Sequence, residues 1–245
     1  MGRHDTVTNR PRLGFLYPGH AAEDDYPTLA EQVVTAPAIE VVHTSVGEDA
    51  HRVDALVDLG GPERLAAGAE RLAGQVDAVV WACTSGSFVF GLSGAREQAA
   101  RLAERTGVPA SSASLAFVEA MAALGANRPA IAATYPDDVV AALIDFLDDA
   151  GIDVVAAAGQ GILTAAEVAT FGRDRVLSFV RAGDHPDADT VLVPDTALHT
   201  ARWIGDLEAA VGKPVLTANQ VTVWEALRLV GANRAQAGLG AVFAS

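Results

Sequence analysis

Short apolar runs alternate along the chain with longer stretches in which apolar and charged residues mix. The first four runs are "RLGFLYP" (Arg12–Pro18), "IEVVHTSV" (Ile39–Val46), "DAVVWAC" (Asp77–Cys83) and "VPASSA" (Val108–Ala113). Four more follow: "RPAIAATY" (Arg128–Tyr135), "DVVAAAG" (Asp153–Gly159), "DTVLVPD" (Asp189–Asp195) and "KPVLTAN" (Lys213–Asn219). Between them lie segments rich in Ala, Leu, Glu and Arg. Gly61–Leu72, Ala95–Thr106, Asp137–Ala150 and Ala165–Val180 have helical length. Continuously apolar strands that alternate with helices predict a parallel sheet covered on both faces.

The pattern also repeats. "GVPASSASLAFVEAMAALGANR" (Gly107–Arg128) resembles "GKPVLTANQVTVWEALRLVGANR" (Gly212–Arg234). Each runs Gly-x-Pro, strand, polar turn, helix and then GANR. Upstream, "DAVVWACTS" (Asp77–Ser85) matches "DTVLVPDTA" (Asp189–Ala197) at a similar spacing. Reuse of Ala, Leu and Gly-x-Pro is common in α/β chains, but the shared GANR favours two related halves. The expected division is 1–118 for the first half, joined by a C-terminal helix in 220–245, and 119–219 for the second. In open parallel sheets ligands sit at the carboxyl ends of strands. Two facing halves therefore predict one cleft, with Cys83 and Asp195 in equivalent places, each closing the third strand of its half.

Composition narrows the class. The chain has 245 residues, half of them hydrophobic and 20% charged, as in an ordinary globular protein. No apolar run approaches the roughly 18 residues of a membrane span. The start, "MGRHDTVTNR", is polar and lacks an apolar signal core, so a cytoplasmic protein is expected. A net charge of −14 argues against nucleic acid and anionic membrane as partners. A small anionic substrate remains compatible with it, because backbone N–H groups bind anions whatever the net charge. Assembly into a homo-oligomer stays open.

Cys83 is the only cysteine, which excludes an internal disulfide. It precedes "TSGS", and Thr84 and Ser85 are good N-caps. Free N–H groups of such a turn bind carboxylates and lower a thiol pKa. A free cysteine is also a common core residue. The strand-end position, the polar turn and the mirrored Asp195 favour function. Asp195 reads equally as a cap or as a general acid or base. Tyr135 at a strand end can donate to a carboxylate or simply pack. Gly19 and His20, in the turn after the first strand, are substrate-binding candidates, as are Thr196 and His199 beside Asp195. The run Glu23–Asp24–Asp25 reads as a helix start. There is no G-x-x-x-x-G-K-[ST], no strand-borne dinucleotide fingerprint and no G-x-S-x-G elbow. The scattered histidines of the first half, His43 among them, lack metal-ligand spacing. No metal or organic cofactor is expected.

In these motifs the chain resembles the Asp/Glu racemase superfamily, in the branch holding maleate cis–trans isomerases and arylmalonate decarboxylases. "RLGFLYPGHAAEDDYP" is similar to that branch's R-x-G-x-x-x-P opening, and "ACTSGSF" to its first active-site motif, with Cys83 in the cysteine position. "ATYPDD" is similar to the loop with the substrate-binding tyrosine, and "VLVPDT" aligns with the second motif, usually Ser-Cys. "GKPVLTANQVTVWEAL" is similar to the last strand and helix. The resemblance implies two pseudo-symmetric flavodoxin-like halves, each a four-stranded parallel sheet flanked by helices, with the active site in the cleft between them. It implies that Thr84, Ser85 and Tyr135 hold a substrate carboxylate without a cofactor. Two departures stand out. Asp195 replaces the second cysteine, which argues against a two-thiol racemase. Ala21 falls where relatives have asparagine, with His20 as candidate replacement.

The leading expectation is a cis–trans isomerase of a small maleate-like dicarboxylate with Cys83 as nucleophile and Asp195 assisting from the other face. A decarboxylase of a substituted malonate, with Cys83 as proton donor, is the alternative. A ligand-binding protein without catalysis is the third.

Overall fold

The computed structural model describes residues 10–245; the polar start, residues 1–9, lies outside them. Eight strands and twelve helices follow one another, beginning with β1 (Arg12–Pro18), α1 (Asp25–Gln32), β2 (Ala38–Thr44), α2 (Val53–Leu59) and α3 (Pro62–Leu72). Next come β3 (Ala78–Trp81), α4 (Ser85–Phe88), α5 (Gly91–Thr106), β4 (Ala110–Ser112) and α6 (Ala113–Leu124). The second half has β5 (Pro129–Ala133), α7 (Asp137–Asp149), β6 (Ala156–Gly159), α8 (Ala165–Val168) and α9 (Arg173–Gly183). It ends with β7 (Thr190–Val193), α10 (Ile204–Val211), β8 (Val215–Thr217), α11 (Ala218–Leu229) and α12 (Ala241–Ala244).

Two parallel four-stranded sheets result, in the orders β2-β1-β3-β4 and β6-β5-β7-β8. The central strands β3, β5 and β7 are buried at every residue, as their unbroken apolar runs require. The edge strand β6, "AAAG", is largely exposed. The repeated GANR has a physical meaning. Gly125 and Gly231 both adopt φ +64°, the left-handed conformation that stops a helix, here α6 and α11. Those two helices pack on each other, and α11 also contacts α1, β3, β4 and β8. A division at 118/119 falls inside α6.

Two expectations need correction. The helix expected over Ala165–Val180 is two helices. The Thr170 hydroxyl bonds back to Glu167 O at 2.7 Å, and Gly172 is extended, so the chain turns before α9. Cys83 and Asp195 do not close their strands. They stand in the loops just past β3 and β7. Among the described residues no helix is long and apolar enough to cross a membrane.

One hydrophobic core runs through both halves, from Leu13, Phe15 and Trp81 to Leu143, Phe146 and Leu192. Polar contacts lock the halves further. The Asp25 carboxylate, buried at the start of α1, accepts the N–H groups of Thr200 (2.8 Å) and Ala201 (3.1 Å) and the Asn219 side-chain amide (3.1 Å). The Tyr26 hydroxyl donates to Asn219 Oδ1 at 3.0 Å. Asp49 accepts from the N–H groups of Ala165 and Ala166, and the N–H of His51 donates to Leu163 O.

Asp25→Ala would strand three buried donors. At about 1–3 kcal/mol for a lost partner, a destabilisation of about 2–4 kcal/mol is expected in urea unfolding. A change under about 0.5 kcal/mol would show that the clamp contributes little.

Candidate active site

In a sheet of order 2-1-3-4 the chain reverses direction between strands 1 and 3, and the crevice opens at their carboxyl ends. Here those ends carry Tyr17 to His20 at and just past the end of β1 and Cys83 to Ser85 after β3. The second sheet contributes Thr134 and Tyr135 after β5 and Asp195 and Thr196 after β7. A cavity of about 250 Å³ lies between the two sets. Cys83, Ser85, Gly19 and His20 line one side, and Asp195, Thr196 and Ala197 the other. Val46, Leu56, Leu59, Ala165 and Ala166 supply apolar wall. A larger groove of about 760 Å³ between α3 and α5 touches none of these residues.

The Cys83 thiol is 4% exposed. Its sulfur accepts the Gly86 N–H at 3.3 Å and lies 3.9 Å from the Ser85 hydroxyl. Gly86 packs closely here: a Cβ would stand 3.1 Å from the sulfur and 3.3 Å from the Trp81 ring, so a larger residue would press on the thiol. Burial pushes the thiol pKa up to about 11, the Gly86 and Ser85 contacts pull it down, and the charge of Asp195 pushes it up again. The turn was expected to lower this pKa. It does so, but burial outweighs it.

Asp195 is held from two sides. The Ala197 N–H donates to Oδ1 at 2.9 Å, and the Thr134 hydroxyl, from the end of β5, donates to Oδ2. It therefore caps a turn rather than a helix. Thr84 is buried, and its hydroxyl has no partner. The Tyr135 hydroxyl donates to Pro194 O at 3.0 Å, and neither Thr84 nor Tyr135 lines the cavity itself. His199 is not brought to the cavity. It pairs with Asp24 at 2.9 Å and joins the halves.

Two wall residues escaped the sequence reading. Tyr17 donates to Thr196 O and accepts the Ala22 N–H, both at 2.9 Å, and so ties the two rims together. Burial pushes its hydroxyl pKa well up. His51 is buried, contacts Ile162 O through Nδ1 at 2.9 Å and stands edge-on to Tyr135 at 5.0 Å. Its position just past an unpatterned polar stretch gave no signal. Among the described residues, no Lys or Arg lines the cavity.

Two duplicated parallel sheets, with a thiol on one rim and its counterpart on the other, define the Asp/Glu racemase superfamily branch of maleate isomerases and arylmalonate decarboxylases. The family model for arylmalonate decarboxylase matches residues 60–243. The chain belongs to that family. It is 31% identical over 163 residues to the arylmalonate decarboxylase of Bordetella bronchiseptica, covering 65% of this chain and 68% of that one. The maleate isomerase Iso of Pseudomonas putida S16 superposes with a TM-score of 0.86 at 21% identity, covering 96% of this chain and 98% of that one. A maleate cis–trans isomerase mutant of Nocardia farcinica, bearing a covalently bound succinylcysteine intermediate, gives 0.85 at 18% identity, covering 95% and 98%. At these identities the two isomerases show a shared fold.

With a thiol held near 11, alkylation of Cys83 by iodoacetamide is expected to stay slow through the ordinary cysteine range and to rise only toward that value. Asp195→Asn removes a negative neighbour, so the rise should come at lower pH. Titration of the wild type near the free-cysteine value of about 8.5 would refute a proton-retaining thiol.

Proposed function

We propose that the protein is a cofactor-independent decarboxylase of a small substituted malonate, with Cys83 as the proton donor. The observation that carries this reading is the state of the thiol. Burial holds its pKa up at about 11, so the thiol keeps its proton at neutral pH. Its hydrogen-bond partners are the Ser85 hydroxyl and the Gly86 N–H, and neither is a base that would take its proton. An acid needs such a thiol, whereas a nucleophile needs a thiolate. Membership of the arylmalonate decarboxylase family supports the same reading.

The chemistry runs as follows. The bond between the α-carbon and one carboxylate breaks, carbon dioxide leaves, and the electron pair stays behind as an enediolate. The S–H bond of Cys83 then breaks, and its proton goes to the α-carbon. Solvent restores the thiol, so each turnover consumes one proton. The hydroxyl of Ser85, which lines the cavity beside the thiol, is the candidate donor to the enediolate oxygens. Leu56, Leu59 and Val46 offer an apolar surface to the substituent and to the departing carboxylate, which loses its hydration there. Asp195 keeps the thiol protonated through its charge.

A maleate-type isomerase is the second reading. It is favoured by the Gly86 N–H, which points at the sulfur and would stabilise a thiolate once formed.

NMR of the products formed from arylmalonates and from maleate separates the two. Carbon dioxide release with a monocarboxylate product supports the decarboxylase, and fumarate without gas evolution supports the isomerase. Cys83→Ser should lower the decarboxylation rate by about 10²–10⁴-fold, the usual worth of a positioned acid. Ligand binding with no turnover of any of these substrates would leave a binding protein.

A further inference from the structure

The loop between β1 and α1 and the end of β2 bring together three groups that lie apart in the sequence. Tyr17 and His43 are register partners on neighbouring parallel strands, so the loop that follows Tyr17 passes over His43. Glu23 Oε1 lies 3.1 Å from His20 Nδ1 and 3.9 Å from His43 Nε2. The two imidazoles stand with centroids 4.0 Å apart and planes tilted by 33°. All three ligand atoms lie within 4.8 Å of one another.

The surroundings hold two of the three groups in a coordinating form. His43 Nδ1 contacts Gly19 O, a pure acceptor, so Nδ1 carries a proton and Nε2 is the nitrogen turned toward Glu23. The Ala21 N–H donates to Glu23 Oε2 at 2.8 Å, which leaves Oε1 for the imidazoles. His20 is exposed, and its Nδ1 is the atom nearest the carboxylate.

We propose that His20 Nδ1, Glu23 Oε1 and His43 Nε2 form a binding site for a divalent transition metal of the zinc type. Zinc takes histidine nitrogen and carboxylate oxygen at about 2.0–2.2 Å in tetrahedral geometry, which sets neighbouring ligand atoms roughly 3.3 Å apart. The spacings of 3.1 and 3.9 Å bracket that value. Two histidines and one carboxylate are a zinc donor set that keeps a fourth position for water or a substrate oxygen. Calcium and magnesium prefer all-oxygen sites and suit this one poorly. The ion would sit on the cavity rim, since His20 and Gly19 line the cavity. A chain of net charge −14 also concentrates cations near its surface. The site rests on geometry alone and stands whether or not the decarboxylase reading does.

Titration calorimetry of the metal-free protein with zinc chloride tests it. One equivalent should bind, with an affinity that falls as the histidines protonate at lower pH. His20→Ala, an exposed change that leaves the fold intact, should weaken binding by about tenfold or more, and Glu23→Gln likewise. His185→Ala, at a distant histidine, and Cys83→Ser should leave it unchanged. Cobalt(II) at the same site should give a visible spectrum that His20→Ala abolishes. No binding by the wild type would overturn the proposal. So would equal binding by His20→Ala and Glu23→Gln, or loss of binding in Cys83→Ser, which would place the ion on the thiol.

Discussion

The geometry of the cavity depends on one buried carboxylate. Asp25 belongs to the first half, yet its three donors, the N–H groups of Thr200 and Ala201 and the amide of Asn219, belong to the second. Desolvation of such a group is costly, and burial raises its pKa against the pull of those donors. The cost is offset only if the turn after Asp195 stays in place. That turn carries Asp195, Thr196 and Ala197, the wall that faces Cys83. Tyr17 bonds the same turn at Thr196 O. The distance between thiol and carboxylate is thus fixed by contacts that belong to neither group. It is held by the interface between two sheets that have no strand pairing with each other.

Duplication explains why the two groups meet, and divergence explains why they differ. Each half has the same strand order and the same helix-stopping glycine. Even the aspartates before β3 and β7 act alike: Asp77 accepts the N–H of Arg12, and Asp189 accepts that of Arg128, each at the start of its half's first strand. The backbone therefore delivers a side chain from each switch point to a common space. It does not dictate which side chain. A thiol on one rim and a carboxylate on the other are unlike groups, so the symmetry of the backbone does not extend to the side chains that face the cavity.

How much of this was legible in the sequence follows from the range of each signal. The strands are written as local apolar runs, and all eight were readable. The GANR repeat marks a local backbone conformation and was readable too. The break between α8 and α9 was not, because Gly172 sits within an otherwise helical pattern and one glycine costs a helix only about 1 kcal/mol. The direction of the Cys83 pKa was misread for a matter of magnitude. The turn supplies only the contacts of Gly86 and Ser85, while full burial can shift a group by up to about 3–5 units. The cluster of His20, Glu23 and His43 was invisible because strand register, not spacing, assembles it. Tyr17 and His51 were missed for a related reason. Their partners, Thr196 and Ile162, lie in the other half.

That no Lys or Arg among the described residues lines the cavity bears on the proposed chemistry. A fixed cation beside a malonate would hold the reactant, with two full carboxylate charges, at least as tightly as the enediolate that follows. Catalysis gains only from interactions that strengthen toward the transition state. Neutral hydroxyls such as those of Ser85 and Thr196 on the cavity wall meet this condition better. They add little to a carboxylate that water already solvates well, and more to enediolate oxygens as charge moves onto them in a site with little water. Asp195 works in the same direction. On the decarboxylase reading its charge would oppose a second carboxylate nearby, and it adds to the burial that already opposes ionisation of Cys83. On the decarboxylase reading, replacing the second thiol by a carboxylate does not remove a catalytic group. It changes that rim from a proton carrier into an electrostatic constraint on the opposite one.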